Sequence, residues 1–272
     1  MAPIIATRDH AFGRGRAAMK NRFLGRWSQA LLGIAALLAL GHALAQADYA
    51  REKRWAEEIT PAILAGDPLY LELPSGHKFL GIYTPAAGAR AGVIVVHGLG
   101  VHPDWGLINP LRSRLAEQGY ATLSVQMPVL AADVRGEHYP PLFPEAAERL
   151  QAAVAFLRGK GHGKIAIVSH SLGARMTNYF LNHTAALRID AWVAVGIPGT
   201  FTAPASFKAP VLDLYGENDL PAVLENAQKR AKAISRVRGS AQIQVAGADH
   251  FFNGMETELV RQIRLFLDQK LK

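Results

Sequence analysis

Short apolar runs that alternate with helix-compatible stretches constrain this chain more than any other feature. "GVIVVHG" (Gly92–Gly98) is apolar at almost every position, as in a strand covered on both faces within a parallel sheet. "KIAIVSH" (Lys164–His170), "DAWVAVG" (Asp190–Gly196) and "PVLDLYG" (Pro210–Gly216) read the same way, and "YATLSVQ" (Tyr120–Gln126) supplies a further strand. Between and after them lie helical stretches at about 108–118, 145–158, 172–182, 222–235 and 255–271, with one more strand, "AQIQVAG" (Ala241–Gly247). This order implies an α/β fold: a mostly parallel twisted sheet with helices on both faces, joined by right-handed crossovers. Upstream, "LYLEL" and "KFLGIYT" bracket "PSGH" as an antiparallel hairpin. "DYAREKRWAEEIT" (Asp48–Thr60) reads as an outer helix packed through Trp55 and Ile59.

Two connections stand out. Met127–Glu145 is the longest irregular piece and contains four prolines. A loop of that length in a compact domain is more often functional than idle, and it is expected to wall a pocket. Ile197–Ala209 is too short to hold a large cap domain.

Composition bears on partners and compartment. The formal charge of +8 is uneven: residues 1–47 hold six Lys/Arg against one Asp, which leaves only +3 on residues 48–272. No basic stripe remains to track phosphates, so nucleic acid is not an expected partner. In the first segment Lys20, Arg22 and Arg26 precede "ALLGIAALLAL", followed by A-x-A patterns at Ala43–Ala45 and Ala45–Ala47. This is the order of an export signal, with Met19 a plausible true start and the mature chain beginning near Gln46 or Asp48. The expected organisation is therefore 1–47 as extension and signal, and 48–272 as one α/β domain outside the cytoplasm, in the periplasm. The apolar run is short of the roughly 20 residues of a membrane span, so membrane contact is expected only if the signal stays uncleaved. The chain has no cysteine, which excludes disulfides and thiolate metal sites. Nothing in the pattern sets an oligomeric state.

In parallel sheets ligands bind beyond the carboxyl ends of the strands. Those ends carry His97, Ser171, Asp219 and His250, so a serine, an acid and a histidine occur in the order Ser171, Asp219, His250, each on a strand-end loop. Serine is a weak nucleophile until an imidazole accepts its proton, and a carboxylate holds that imidazole in the useful tautomer.

Four motifs carry a resemblance from Leu69 to the C-terminus: "VVHGLG" (Val95–Gly100), "SHSLGA" (Ser169–Ala174), "LYGENDLP" (Leu214–Pro221) and "AGADHFF" (Ala246–Phe252). Together they resemble the α/β-hydrolase superfamily. More narrowly, "REKRWAEEI", "GVHPDW", "QMPVLAAD" and "LFPEAAERL" are similar to a bacterial family of exported α/β-hydrolase-like proteins without an assigned function. The resemblance implies Ser171 as nucleophile, His250 as general base and Asp219 as its orienting acid. It also implies an oxyanion hole made by the backbone N–H groups of Leu99 and Leu172, with His97, Gly98, His170 and Gly173 supporting the elbow and pocket. The implied activity is an esterase or thioesterase on a small-molecule or lipid-like acyl substrate, with no cofactor and no metal.

One position departs from the family spelling. The elbow needs small residues two before and two after the nucleophile; Gly173 meets the second, and Ser169 adds only a hydroxymethyl at the first. Ser169 itself fails as nucleophile, because Ile167 and Ser171 would flank it. Asp213 rivals Asp219 for the acid, but it stands inside a buried-type strand, where an acid must be paired. His102, Asp104, Asp133 and His138 lack the local spacing of metal ligands. Trp105, Tyr139 and Phe143 are expected pocket-lining or packing residues. The competing reading is a non-catalytic envelope binding or scaffold protein that keeps the fold.

Overall fold

The apolar runs become neighbours in a single eight-stranded sheet. In chain order the strands are β1 (Asp67–Glu72), β2 (Lys78–Thr84), β3 (Gly92–Val96), β4 (Ala121–Val125), β5 (Ile165–His170), β6 (Ala191–Val195), β7 (Val211–Asn218) and β8 (Ala241–Asp249). Across the sheet they run β1-β2-β4-β3-β5-β6-β7-β8. The β1–β2 and β2–β4 pairs are antiparallel, and every pair from β4–β3 to β7–β8 is parallel. The computed structural model describes residues 47–184, 187–202 and 208–272, so the expected export signal lies outside the described residues. Ala47–Lys272 forms one compact unit. No described helix is long and apolar enough to cross a membrane.

The helices are α1 (Tyr49–Ile59), α2 (Ile108–Glu117), α3 (Phe143–Gly159), α4 (Leu172–His183), α5 (Pro221–Leu224), α6 (Ala227–Ile234) and α7 (Glu256–Lys270). Strand side chains alternate between two cores. Ile94 and Val96 of β3 join Ala146, Leu150 and Phe180 on one face; Val93 and Val95 join Leu111, Leu115 and Ile263 on the other. This double coverage explains the continuous apolar spelling of the central strands. All of Val93–Val96 is solvent-free, and each such side chain contributes about 1.5–3 kcal/mol of burial.

Two expectations need correction. The stretch at 222–235 is not one helix: Asn226 sits between α5 and α6 at φ −104°, ψ 0°, and its amide donates to the Ala222 carbonyl. The outer helix α1 does not pack chiefly through Trp55 and Ile59. Its buried residues are Glu52 and Ala56, because Glu52 forms a buried ion pair with Arg149 of α3 at 2.9 Å.

The topology fixes where the loops meet. β3 is followed in sequence by β4 on one side, and the chain then crosses to β5 on the other. The carboxyl ends of β3 and β5 therefore border the crevice at a topological switch point.

Candidate active site

The parallel registers bring the strand-end residues together. Val96 of β3 pairs with Ser169 of β5, so continuing both chains two residues sets Gly98 abreast of Ser171. A Cβ on Gly98 would lie 3.2 Å from the Ser171 Cβ and 3.1 Å from His170 Nδ1, so the bare backbone there allows the two loops to touch. Asn218 of β7 pairs with Asp249 of β8 past a register shift at Gly216–Asn218, which sets the next residues, Asp219 and His250, side by side.

Ser171 occupies the bend between β5 and α4 at φ 54°, ψ −121°. A positive φ is costly for a side-chain-bearing residue and marks a position the surroundings hold in place. Two contacts supply that hold. The Ser171 N–H donates to the Val195 carbonyl at 2.9 Å. Gly173 admits no side chain, since a Cβ there would meet the His97 carbonyl oxygen at 2.2 Å. Helix and strand loop are thus pressed together around the serine.

From Ser171 the polar chain is continuous. Ser171 Oγ lies 2.9 Å from His250 Nε2, and His250 Nδ1 lies 2.5 Å from Asp219 Oδ1. The Asp219 side chain is completely buried and that of His250 is 6% exposed. Asp219 also accepts from the Leu220 N–H at 2.7 Å and the Gly216 N–H at 3.3 Å. An ionised carboxylate can only accept, so Nδ1 of His250 carries the proton and Nε2 is left to accept from the serine. The loop behind His250 is pinned by Asp249, whose Oδ1 accepts from the Phe251 and Asn253 N–H groups.

Around this chain stand two neutral imidazoles. His170 Nε2 is 2.9 Å from the His250 carbonyl, which makes it the donor. His97 donates from Nδ1 to the Gly98 carbonyl at 2.9 Å and accepts the Met127 N–H at Nε2, also at 2.9 Å. Burial holds both rings down at about 3, so neither carries charge near neutrality. His97 ties the turn that presents Leu99 to the start of the 127–145 loop. Leu172 opens α4, and first-turn N–H groups have no partner within their helix.

Other expected residues fall elsewhere. Ser169 is fully buried; its Oγ accepts from the Trp192 indole at 2.8 Å and sits 3.4 Å from the Val193 carbonyl. Asp213 is held by Arg230 at 2.8 Å and Gln242 at 2.7 Å, in the middle of β7. Asp104 binds Arg112 and Asn109, and the His138 side chain is exposed beside Glu137. Among the described residues no group of three or more His, Cys, Asp or Glu could hold a metal ion. Tyr139 is buried and its hydroxyl accepts from the Leu130 N–H. Trp105 lines a cavity of about 560 Å³ together with Arg114, Phe251 and Glu256. The Phe251 ring stacks edge-on against both His250 and Trp105, at 5.0 and 5.6 Å. Phe143 lines a smaller cavity of about 110 Å³. The 127–145 loop does not wall the larger space. Much of it folds inward, with Met127, Val129, Leu130, Tyr139 and Leu142 buried, while Gly136 approaches the Leu99 side chain.

A supporting network escaped the motif reading. Arg149, completely buried, binds Glu52, Glu145 and the Gln126 carbonyl; Arg51 reaches the Leu130 and Gly100 carbonyls. It clamps α1 to the loops behind Leu99. A signal was present: Arg149 interrupts the apolar face formed by Ala146, Leu150 and Ala153, where a charge requires a partner.

Residues 70–141 and 142–269 match the model of a family described as "Protein of unknown function (DUF3530)". The chain belongs to this family. No curated protein matches the sequence. Among solved structures, this DUF3530 protein is similar to dienelactone hydrolase from Anabaena variabilis (21% identity, TM-score 0.62, 76% of this chain and 98% of that one). It is also similar to an esterase from Pyrococcus furiosus (16%, TM-score 0.62, 76% and 93%). A third similar structure is a Xanthomonas campestris protein described as an α/β serine hydrolase without lid (16%, TM-score 0.59, 76% and 95%). The DUF3530 domain therefore has the α/β-hydrolase fold.

Proposed function

We propose that the protein is an exported serine hydrolase that cleaves carboxylic esters or thioesters through an acyl-enzyme on Ser171. The observation that carries this reading is the unbroken chain from Ser171 Oγ through His250 to buried Asp219, at 2.9 and 2.5 Å. In the first half-reaction His250 Nε2 takes the hydroxyl proton as Oγ bonds to the substrate carbonyl carbon. The oxyanion that forms is met by the Leu99 and Leu172 N–H groups; one such donor typically lowers the barrier by about 3–4 kcal/mol. Collapse breaks the bond to the alkoxide or thiolate, which leaves with the proton from His250. Water then gives a proton to His250 and attacks the acyl carbon, and the proton returns to Ser171 Oγ as the acid departs.

The named structural neighbours include an esterase and a dienelactone hydrolase, which supports hydrolytic chemistry on this fold. Export rests on the basic segment, the apolar run and the A-x-A patterns that precede Asp48. A fluorophosphonate probe should label the folded protein at Ser171, and Ser171→Ala should abolish labelling. A folded wild-type chain that resists the probe would overturn the reading and favour the binding-protein alternative.

A further inference from the structure

Among the described residues three arginines have side chains at most 1% exposed, and each has a carboxylate: Arg112 with Asp104, Arg149 with Glu52 and Glu145, Arg230 with Asp213. Arg175 breaks this pattern. It is partly buried, and desolvation pulls its pKa below the usual guanidinium range. Among the described residues no carboxylate pairs with it; its one recorded contact is the Phe143 ring, 5.6 Å from the guanidinium carbon. Residues 185–186 and 203–207 include no acidic side chain. Arg175 lines the 110 Å³ cavity with Phe143, Tyr179, Ile197 and Thr200.

Two of the residues lining that cavity, Arg175 and Ile197, stand close in sequence to the proposed catalytic site. Arg175 follows Ser171 by four residues, one helical turn and about 6 Å along the axis. In a helix the Cα–Cβ bond tilts toward the N-terminus, the end of α4 that Ser171 caps. Ile197, which also lines the cavity, follows Gly196, where a Cβ would lie 3.1 Å from the His250 ring and 3.2 Å from Asp219 Oδ2. The volume would hold only three or four waters at about 30 Å³ each, enough for a carboxylate and a short stem but not for a large ligand. A planar, forked donor with no internal acid matches a carboxylate in two parallel hydrogen bonds.

Resting on the serine-hydrolase reading, the geometry points to Arg175 as a specificity-determining residue that selects acyl groups ending in a carboxylate. The preferred substrates are half-esters or half-thioesters of short dicarboxylic acids, with the acyl carboxylate against Arg175 and the leaving group directed away from this cavity. Arg175 binds substrate and takes no part in proton transfer.

The test compares the p-nitrophenyl half-ester of glutaric acid with p-nitrophenyl pentanoate, which has the same chain length and a methyl in place of the carboxylate. Wild-type kcat/KM should favour the half-ester by about 10- to 100-fold, the range for a hydrogen bond to a charged group. In Arg175→Met the ratio should fall to about one or below, and Arg175→Lys should retain part of it. Because each ratio is measured on one preparation, loss of folded protein cancels. A wild-type ratio near one, or a ratio unchanged in Arg175→Met, overturns the assignment. A second readout separates this from failure of the hydrolase reading: free glutarate should raise the Tm of Ser171→Ala but not of Ser171→Ala/Arg175→Met. If neither ester is cleaved yet glutarate stabilises in an Arg175-dependent way, the anion site stands and the esterase falls. If pentanoate is cleaved without preference and glutarate has no effect, the enzyme stands and the anion site falls.

Discussion

Asp213 lies within the seventh strand and Asp219 just past its carboxyl end, six residues on; both are buried, yet they meet different partners. Asp213 is held by Arg230 and Gln242. Burial pushes its carboxyl up, opposed by the Arg230 charge. Asp219 lies just past the register shift, where it meets the His250 imidazole and two backbone N–H groups. The contrast teaches that burial alone does not mark a functional acid. What matters is whether the partner has a proton to exchange. A guanidinium has no proton to exchange under ordinary conditions, whereas an imidazole can gain and lose one.

The comparison can be broken by mutation. The largest effect is expected at the serine that the Asp219 side serves: Ser171→Ala should lower kcat about 10⁶-fold, with Tm little changed. Next, Asp219→Asn should cost about 10⁴-fold in kcat by releasing the useful tautomer of His250, again with a modest change in Tm. Asp213→Asn should do the reverse. It leaves Arg230 without its counter-charge and should destabilise by about 3–5 kcal/mol in chemical denaturation, while kcat per folded molecule stays within a few-fold. Equal kinetic losses in the two Asn variants would dissolve the distinction.

Two smaller effects sharpen it. His97 and His170 stay neutral in the fold down to about pH 3, while unfolded imidazoles protonate near 6.5. Between those values the unfolded chain binds more protons, so stability rises with pH. The contribution is present above about pH 6.5 and is lost as pH falls through that window, by up to about 1.4 kcal/mol per pH unit for each ring. Denaturation midpoints measured from pH 7 to pH 5 should fall, and His97→Gln should flatten the slope. Smallest of all, Ser169→Gly should lower stability by about 1 kcal/mol through the lost indole hydrogen bond and leave kcat near wild type. A large kinetic loss there would mean that this hydroxyl has a role beyond packing.

The central strands could be read from the sequence because burial on both faces demands continuous apolar residues, and β3, β5 and β6 fall where "GVIVV", "IAIVSH" and "AWVAV" predict. Strand ends inherit their place from the strands, so Ser171, Asp219 and His250 could be named together before their distances were known. Glu52 could not be placed, because the helix that carries it shows Trp55 as its apolar marker, while its true partner, Arg149, is 97 residues away. The break at Asn226 was equally hidden, since no proline or glycine marks it.

By itself, then, the sequence determined the α/β alternation, the parallel core and the set of strand-end residues, because those follow from local periodicity and the burial of apolar side chains. Only the tertiary structure decided which of two buried acids faces the histidine, why Gly173 must be bare, and that Arg175, unlike Arg112, Arg149 and Arg230, has no acid. Those are pairings between distant segments, settled by strand register and backbone approach, and no local pattern records them.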